Sequence, residues 1–72
     1  MKRPEKHSLT LNGHRTSVSL EAEFWFEFRR LAKSRDQTIN GLAAEIDAKR
    51  GMDIGLASAI RLFVLSEVKR GA

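Results

Sequence analysis

The chain has no cysteine and a single proline among its 72 residues, so no disulfide can hold it together. The lack of thiols fits a reducing compartment. No apolar run reaches the ~18 residues needed to cross a bilayer. The opening Met1-Lys2-Arg3-Pro4-Glu5-Lys6 leads into polar residues and not into the apolar stretch of a signal peptide, so a cytoplasmic location is expected. No histidine–carboxylate cluster has metal-ligand spacing, and no metal or other cofactor is expected. Nothing supplies a nucleophile, a base and an orienting group together, nor a glycine-rich phosphate loop. Catalysis is therefore not expected.

What remains is the composition of a folded chain, 42% hydrophobic and 31% charged, which excludes intrinsic disorder. The length allows one small domain. A core of this size leaves only about 3–5 kcal/mol of stability, and with disulfides and metals excluded the remaining staple is self-association. Thirteen Lys and Arg against nine Asp and Glu give a net charge of +4, which favours an anionic partner. Charge alone is met equally well by a basic protein with no such partner.

Residues 1–6 read as a flexible basic tail and residues 7–72 as one domain. Within residues 7–20, His-Ser-Leu-Thr-Leu and His-Arg-Thr-Ser-Val-Ser-Leu flank Asn12-Gly13. Asn-Gly between alternating runs predicts a hairpin, because both central residues of a type I′ turn need φ > 0. A two-residue loop pairs Leu11 with His14, Thr10 with Arg15, Leu9 with Thr16, Ser8 with Ser17 and His7 with Val18. Leu9, Leu11, Thr16, Val18 and Leu20 then share one face, and Ser8, Thr10, Arg15, Ser17 and Ser19 the other. The same register turns His7 and His14 inward at opposite ends of the hairpin, where they cannot hold one ion.

From Glu21 the period becomes helical. Phe24, Phe28, Leu31 and Ala32 fall at i, i+4, i+7 and i+8 with Trp25 beside them, predicting a helix over 21–35. Acidic residues open it, and Arg29, Arg30, Lys33 and Arg35 close it, in the order the helix dipole favours. Phe26 lies off the stripe. Thr38 is a good N-cap for a second helix over 38–50, whose apolar face is Ile39, Leu42, Ala43 and Ile46, with Gly51 as its stop. A third helix over 56–69, capped by Asp53 or Gly55, is apolar almost all round from Ala59 to Leu65. One chain offers little to cover it, a second argument for a dimer. The expected dimer core is Val18, Leu20, Phe24, Trp25, Phe28, Leu31, Ile39, Leu42, Ile46, Ile60, Phe63 and Val64.

An outward-polar strand followed by two helices resembles the ribbon-helix-helix family of bacterial DNA-binding proteins. The resemblance rests on Arg15-Thr-Ser-Val-Ser-Leu-Glu-Ala-Glu-Phe-Trp and on Thr38-Ile-Asn-Gly-Leu-Ala-Ala-Glu-Ile, and covers about residues 15–50. The stretch Leu56-Ala-Ser-Ala-Ile-Arg-Leu-Phe-Val-Leu is similar to a bacterial subfamily in which a third helix is appended. The resemblance implies an α+β homodimer whose paired strands enter the DNA major groove, acting as a repressor or the DNA-binding antitoxin of a toxin pair. It also implies base contacts from Arg15, Ser17 and Ser19, and phosphate contacts from the amides of Thr38, Ile39 and Asn40, reinforced by Lys33 and Arg35. Arg grips guanine bidentately, hydroxyls bond either base type, and a helix N-terminus is a ready phosphate site. In this chain the strand through Leu9 and Leu11 flanks each ribbon strand, making four strands. The alternative is a dimeric adaptor that binds a protein through the same fold and leaves DNA alone. Neither reading involves a membrane.

Overall fold

A computed structural model describes residues 3–71. It contains two antiparallel strands, β1 (Glu5–Leu11) and β2 (His14–Leu20), then three helices, α1 (Ala22–Ser34), α2 (Ile39–Lys49) and α3 (Leu56–Lys69). The hairpin has the register read from the sequence, from Leu11↔His14 to His7↔Val18, and extends through Lys6↔Ser19 to Glu5↔Leu20. Strand β1 therefore takes in Glu5 and Lys6, which the sequence placed in the tail. Met1 and Lys2 of that tail lie outside the described residues.

Asn12 and Gly13 sit at φ 52° and 84°, the left-handed pair that a type I′ turn needs. A Cβ on Gly13 would meet nothing within 4 Å, so the only cost of a side chain there is its backbone conformation. Gly13→Val is expected to destabilise the chain by about 1–3 kcal/mol, since a β-branched residue resists positive φ. Gly13→Asn should cost markedly less. Equal losses on thermal melting would contradict this account of the turn.

Helix α1 ends in a Schellman motif. The Gln37 amide donates to the Ala32 carbonyl at 2.9 Å and the Asp36 amide to the Lys33 carbonyl at 3.0 Å, with Asp36 left-handed at φ 57°. Asp tolerates that conformation better than most residues, which is why the chain can reverse here without glycine. Helix α2 starts as expected, the Thr38 hydroxyl accepting from the Gly41 amide at 2.9 Å. Its end differs from expectation. Gly51 is not left-handed; the chain leaves through an extended Arg50, whose guanidinium donates to Asp47 at 2.7 Å and to the Ile54 carbonyl at 2.8 Å.

The inner sheet face, Leu9, Leu11, Val18 and Leu20, closes on Phe28, Leu31 and Ala32 of α1, Leu42, Ala43 and Ile46 of α2, and Ala59, Ile60 and Val64 of α3. Strand β1 packs over α2 and β2 over α3. One expectation is corrected. Helix α3 finds cover within one chain, because Ala59, Ile60 and Val64 turn into the core while Leu62, Leu65 and Val68 remain exposed. Of the residues assigned to a dimer core, Val18, Leu20, Phe28, Leu31, Leu42, Ile46, Ile60 and Val64 are buried in the single chain, and Phe24, Trp25, Ile39 and Phe63 pack half-buried against them. Thr16 and His14 are also exposed, although their positions face inward. The helices do not reach under that corner.

Candidate nucleic-acid interface

The hairpin's alternation fixes what its outer face can offer. Lys6, Ser8 and Thr10 of β1 and Arg15, Ser17 and Ser19 of β2 all point away from the helices and are exposed. They stand in opposed pairs, Lys6 with Ser19, Ser8 with Ser17 and Thr10 with Arg15. The face has two cations, four hydroxyls and no acid. Arg15 makes no hydrogen bond or ion pair among the described residues, so its guanidinium is free for a ligand. Lys6, Ser8 and Thr10 share this face although the sequence does not single them out: the charged run around Pro4 hides the start of β1, and Ser8 and Thr10 read as the flank of the ribbon.

The N-terminus of α2 lies against this sheet. Asn40 accepts a hydrogen bond from the Thr10 amide at 3.0 Å, tying the first turn of α2 to the outer edge of β1. Thr10 pairs with Arg15 next to the bonded Leu11–His14 pair, so its amide points outward from the hairpin. The Asn40 side chain is thus engaged within the chain. The amides of Ile39 and Asn40 have no acceptor in the first turn, as at any helix start, and none among the described residues. Those two N–H groups, with the dipole behind them, form an anion-binding end beside the polar sheet face.

The two cations expected to reinforce that end go to different places. Lys33 lines an open groove with Arg29, Phe26, Thr38 and Ile39, beside the α2 start. Arg35 turns toward α3. Its Nε donates to Gln37 at 3.1 Å, its Nη1 lies 3.6 Å from Glu67, and the guanidinium stands 5.4 Å from the centre of the Phe63 ring. Arg35 clamps the α1–α2 turn to α3. Gln37 is held in turn by Glu45 at 2.9 Å, and this hydrogen bond, with Lys49 and Arg35 nearby, keeps the Glu45 carboxyl below its usual range.

A second clamp closes the other end of the sheet. Arg61 donates to the two carboxylate oxygens of Glu21 at 2.9 and 3.2 Å, and to the Ser19 carbonyl at 3.1 Å. The Arg61 hydrogen bond lowers the Glu21 pKa, so Glu21 stays ionised at neutral pH. The Ser19 carbonyl faces outward from β2, so Arg61 covers one end of the β2 edge. The outward N–H and C=O groups of Arg15 and Ser17 have no partner among the described residues. They form an open sheet edge, able to pair with another strand.

His7 and His14 do not come together. His7 stacks on Trp25 with ring centres 3.9 Å apart and planes within 6°, while His14 is exposed at the turn. Among the described residues no cluster of His, Cys, Asp and Glu has the makings of a metal site, and no helix is long and apolar enough to cross a membrane.

A family model described as a ribbon-helix-helix domain matches residues 4–68, nearly the whole chain. No curated protein and no solved structure matches it.

Proposed function

Since this chain belongs to the ribbon-helix-helix family, we propose that it is a homodimeric, sequence-specific DNA-binding protein of the bacterial cytoplasm. Its role on this reading is that of a transcriptional repressor or of the DNA-binding antitoxin of a toxin pair. Proteins of the family bind DNA as transcription regulators or antitoxins and typically form dimers. The observation that carries the reading is the acid-free outer sheet face, with Arg15 free upon it and the open amides of α2 alongside.

The proposed assembly pairs the open β2 edge with its copy, placing two β2 strands at the centre of a four-stranded sheet. Arg15, Ser17 and Ser19 of both chains then face the base edges. The β1 strands lie at the rims, where Lys6, Ser8 and Thr10 meet phosphates, as do Lys33 and the amides at Ile39 and Asn40. Phosphate contacts position the protein and base contacts specify the sequence.

One feature favours the adaptor reading as a second possibility. Four strands span three spacings, about 14 Å, against a major groove ~12 Å wide. Strand β1 is paired along its whole length and tied to α2 through Asn40, so it belongs to the fold and does not peel away freely.

The test is a titration of DNA from upstream of the protein's own gene at two salt concentrations. Wild-type affinity should fall steeply with salt through counterion release. Arg15→Ala should weaken the cognate site by about 1–3 kcal/mol and relax base preference there. Asn40→Asp isolates the phosphate contact, because a carboxylate still accepts from the Thr10 amide and suits a helix N-terminus. It should leave the melting temperature unchanged or raised while weakening every duplex alike. If wild-type protein binds no duplex at low salt but retains a protein through its sheet face, the adaptor reading replaces this one.

A further inference from the structure

The chain holds two asparagines, Asn12 and Asn40, and glycine follows each. Asn-Gly is the pair in which a main-chain nitrogen most readily attacks the preceding side-chain amide, because glycine puts no Cβ beside that nitrogen. Both asparagines are exposed, so access to solvent does not separate them. Their bonding does. The Asn40 side chain accepts from the Thr10 amide at 3.0 Å, and the Gly41 amide donates to the Thr38 hydroxyl at 2.9 Å. Carbonyl and nitrogen are thus both engaged, within the first turn of a helix. At the hairpin tip neither the Asn12 side chain nor the Gly13 N–H has a hydrogen-bond partner among the described residues. Nothing lies within 4 Å of where a Gly13 Cβ would stand, which leaves room for a ring.

We propose that Asn12 is a site of spontaneous deamidation and that the fold protects Asn40 from the same reaction. The Gly13 nitrogen attacks Cγ of Asn12. The N–Cγ bond forms, the Cγ–Nδ2 bond breaks, and Nδ2 leaves as ammonia with the Gly13 proton. The five-membered imide then takes up one water. Opening at Cγ gives aspartate, and opening at the main-chain carbonyl gives isoaspartate, whose chain runs on through Cβ and Cγ. Nothing is oxidised or reduced. Either product removes one unit from the net charge of +4 and puts a carboxylate at the end of a sheet face that has none. Aspartate before glycine still suits a type I′ turn, so that product keeps the register. Isoaspartate lengthens the main chain inside a two-residue loop, and the Leu11–His14 pair no longer closes.

The turn sets the rate. In a type I′ turn ψ at the first central residue is about 30°, which holds the Gly13 nitrogen nearly anti to Cβ of Asn12. Ring closure therefore waits for the tip to open. His14, Arg15 and Thr16 are exposed, so the tip is held mainly by the buried Leu11 and by the bond from Thr10 to Asn40. Local opening of such an end costs less than undoing the start of α2, which carries Leu42 and Ala43 into the core.

Peptide mapping of the whole chain by mass spectrometry, after incubation at neutral and at mildly alkaline pH, tests the assignment. In the folded protein Asn12 should deamidate about tenfold or more faster than Asn40, the ratio that ~1.4 kcal/mol of extra protection gives. The Asn12 rate should rise with pH, since the deprotonated amide is the nucleophile. In urea, with both pairs unfolded, the two rates should converge. Asn12→Gln, whose ring would have six members, should lose the early acidic species seen on isoelectric focusing. Equal rates at the two asparagines of the folded chain overturn the proposal. So does an Asn12 that stays intact while the unfolded chain reacts, or an early acidic species that Asn12→Gln retains.

Discussion

On the strand-paired, DNA-binding dimer proposed above, Ser17→Pro is expected to give a folded monomer with weakened DNA affinity. Ser17 pairs with Ser8, and the alternation of an antiparallel ladder leaves its N–H pointing away from β1. Proline removes that donor and nothing inside the hairpin, and edge strands accept proline where the N–H faces solvent. The neighbouring pairs, Leu9 with Thr16 and His7 with Val18, keep their mutual bonds, so the single-chain fold survives. A second β2 strand finds a donor missing at the centre of the ribbon, with a pyrrolidine ring in its place. Each chain then presents one half-site, and losing the linked second contact costs about 10²–10⁴ in affinity. Sedimentation and DNA titration of the same sample read both effects. A dimer with undiminished DNA affinity would mean that the chains pair elsewhere, and Ser8→Pro on the β1 edge is then the variant to measure.

The hairpin was legible because its information is local. Asn12-Gly13 specifies a turn whose twist admits one register, and period-two alternation confirms that register without reference to the rest of the chain. The helices were legible by their apolar spacing and by Thr38, whose capping bond lies within one turn. Residues whose roles depend on distant partners were not. Asn40 is marked by the sequence only for its amide at the α2 start; that its side chain accepts from the Thr10 amide, thirty positions away, no local pattern shows. Arg35 looked like part of a basic cluster, yet Glu67 and Phe63 turn it aside. For α3 the apolar composition showed that cover was needed, without showing which side receives it. The core takes Ala59, Ile60 and Val64, and Leu62 and Leu65 stay outside. This asymmetry appears only once β2 and α1 are in place.

Phe28→Ala should unfold the isolated chain outright. Phe28 is fully buried, with Leu20, Leu31, Leu42 and Ile60 likewise closed off from solvent. It touches Trp25, ring centres 5.9 Å apart, and Trp25 carries the stacked His7 of β1, so its loss loosens the contact between α1 and the hairpin. Truncating a buried Phe costs about 3–5 kcal/mol, as much as a domain of this size holds in reserve. Phe26→Ala removes the same atoms from an exposed position and should stay within about 0.5 kcal/mol of wild type. The fluorescence of Trp25, the one tryptophan in the chain, follows both melts. Coupling to assembly gives the variant a way back. A ligand that binds only the folded state adds about 2.7 kcal/mol at a hundred times its dissociation constant. Raising the protein concentration, or adding operator DNA, should therefore restore much of the Phe28→Ala signal. Recovery with concentration makes the second chain part of the stability of the first. A Phe28→Ala melt that matches wild type would place the centre of the core elsewhere, and melts independent of both concentration and DNA would separate folding from assembly.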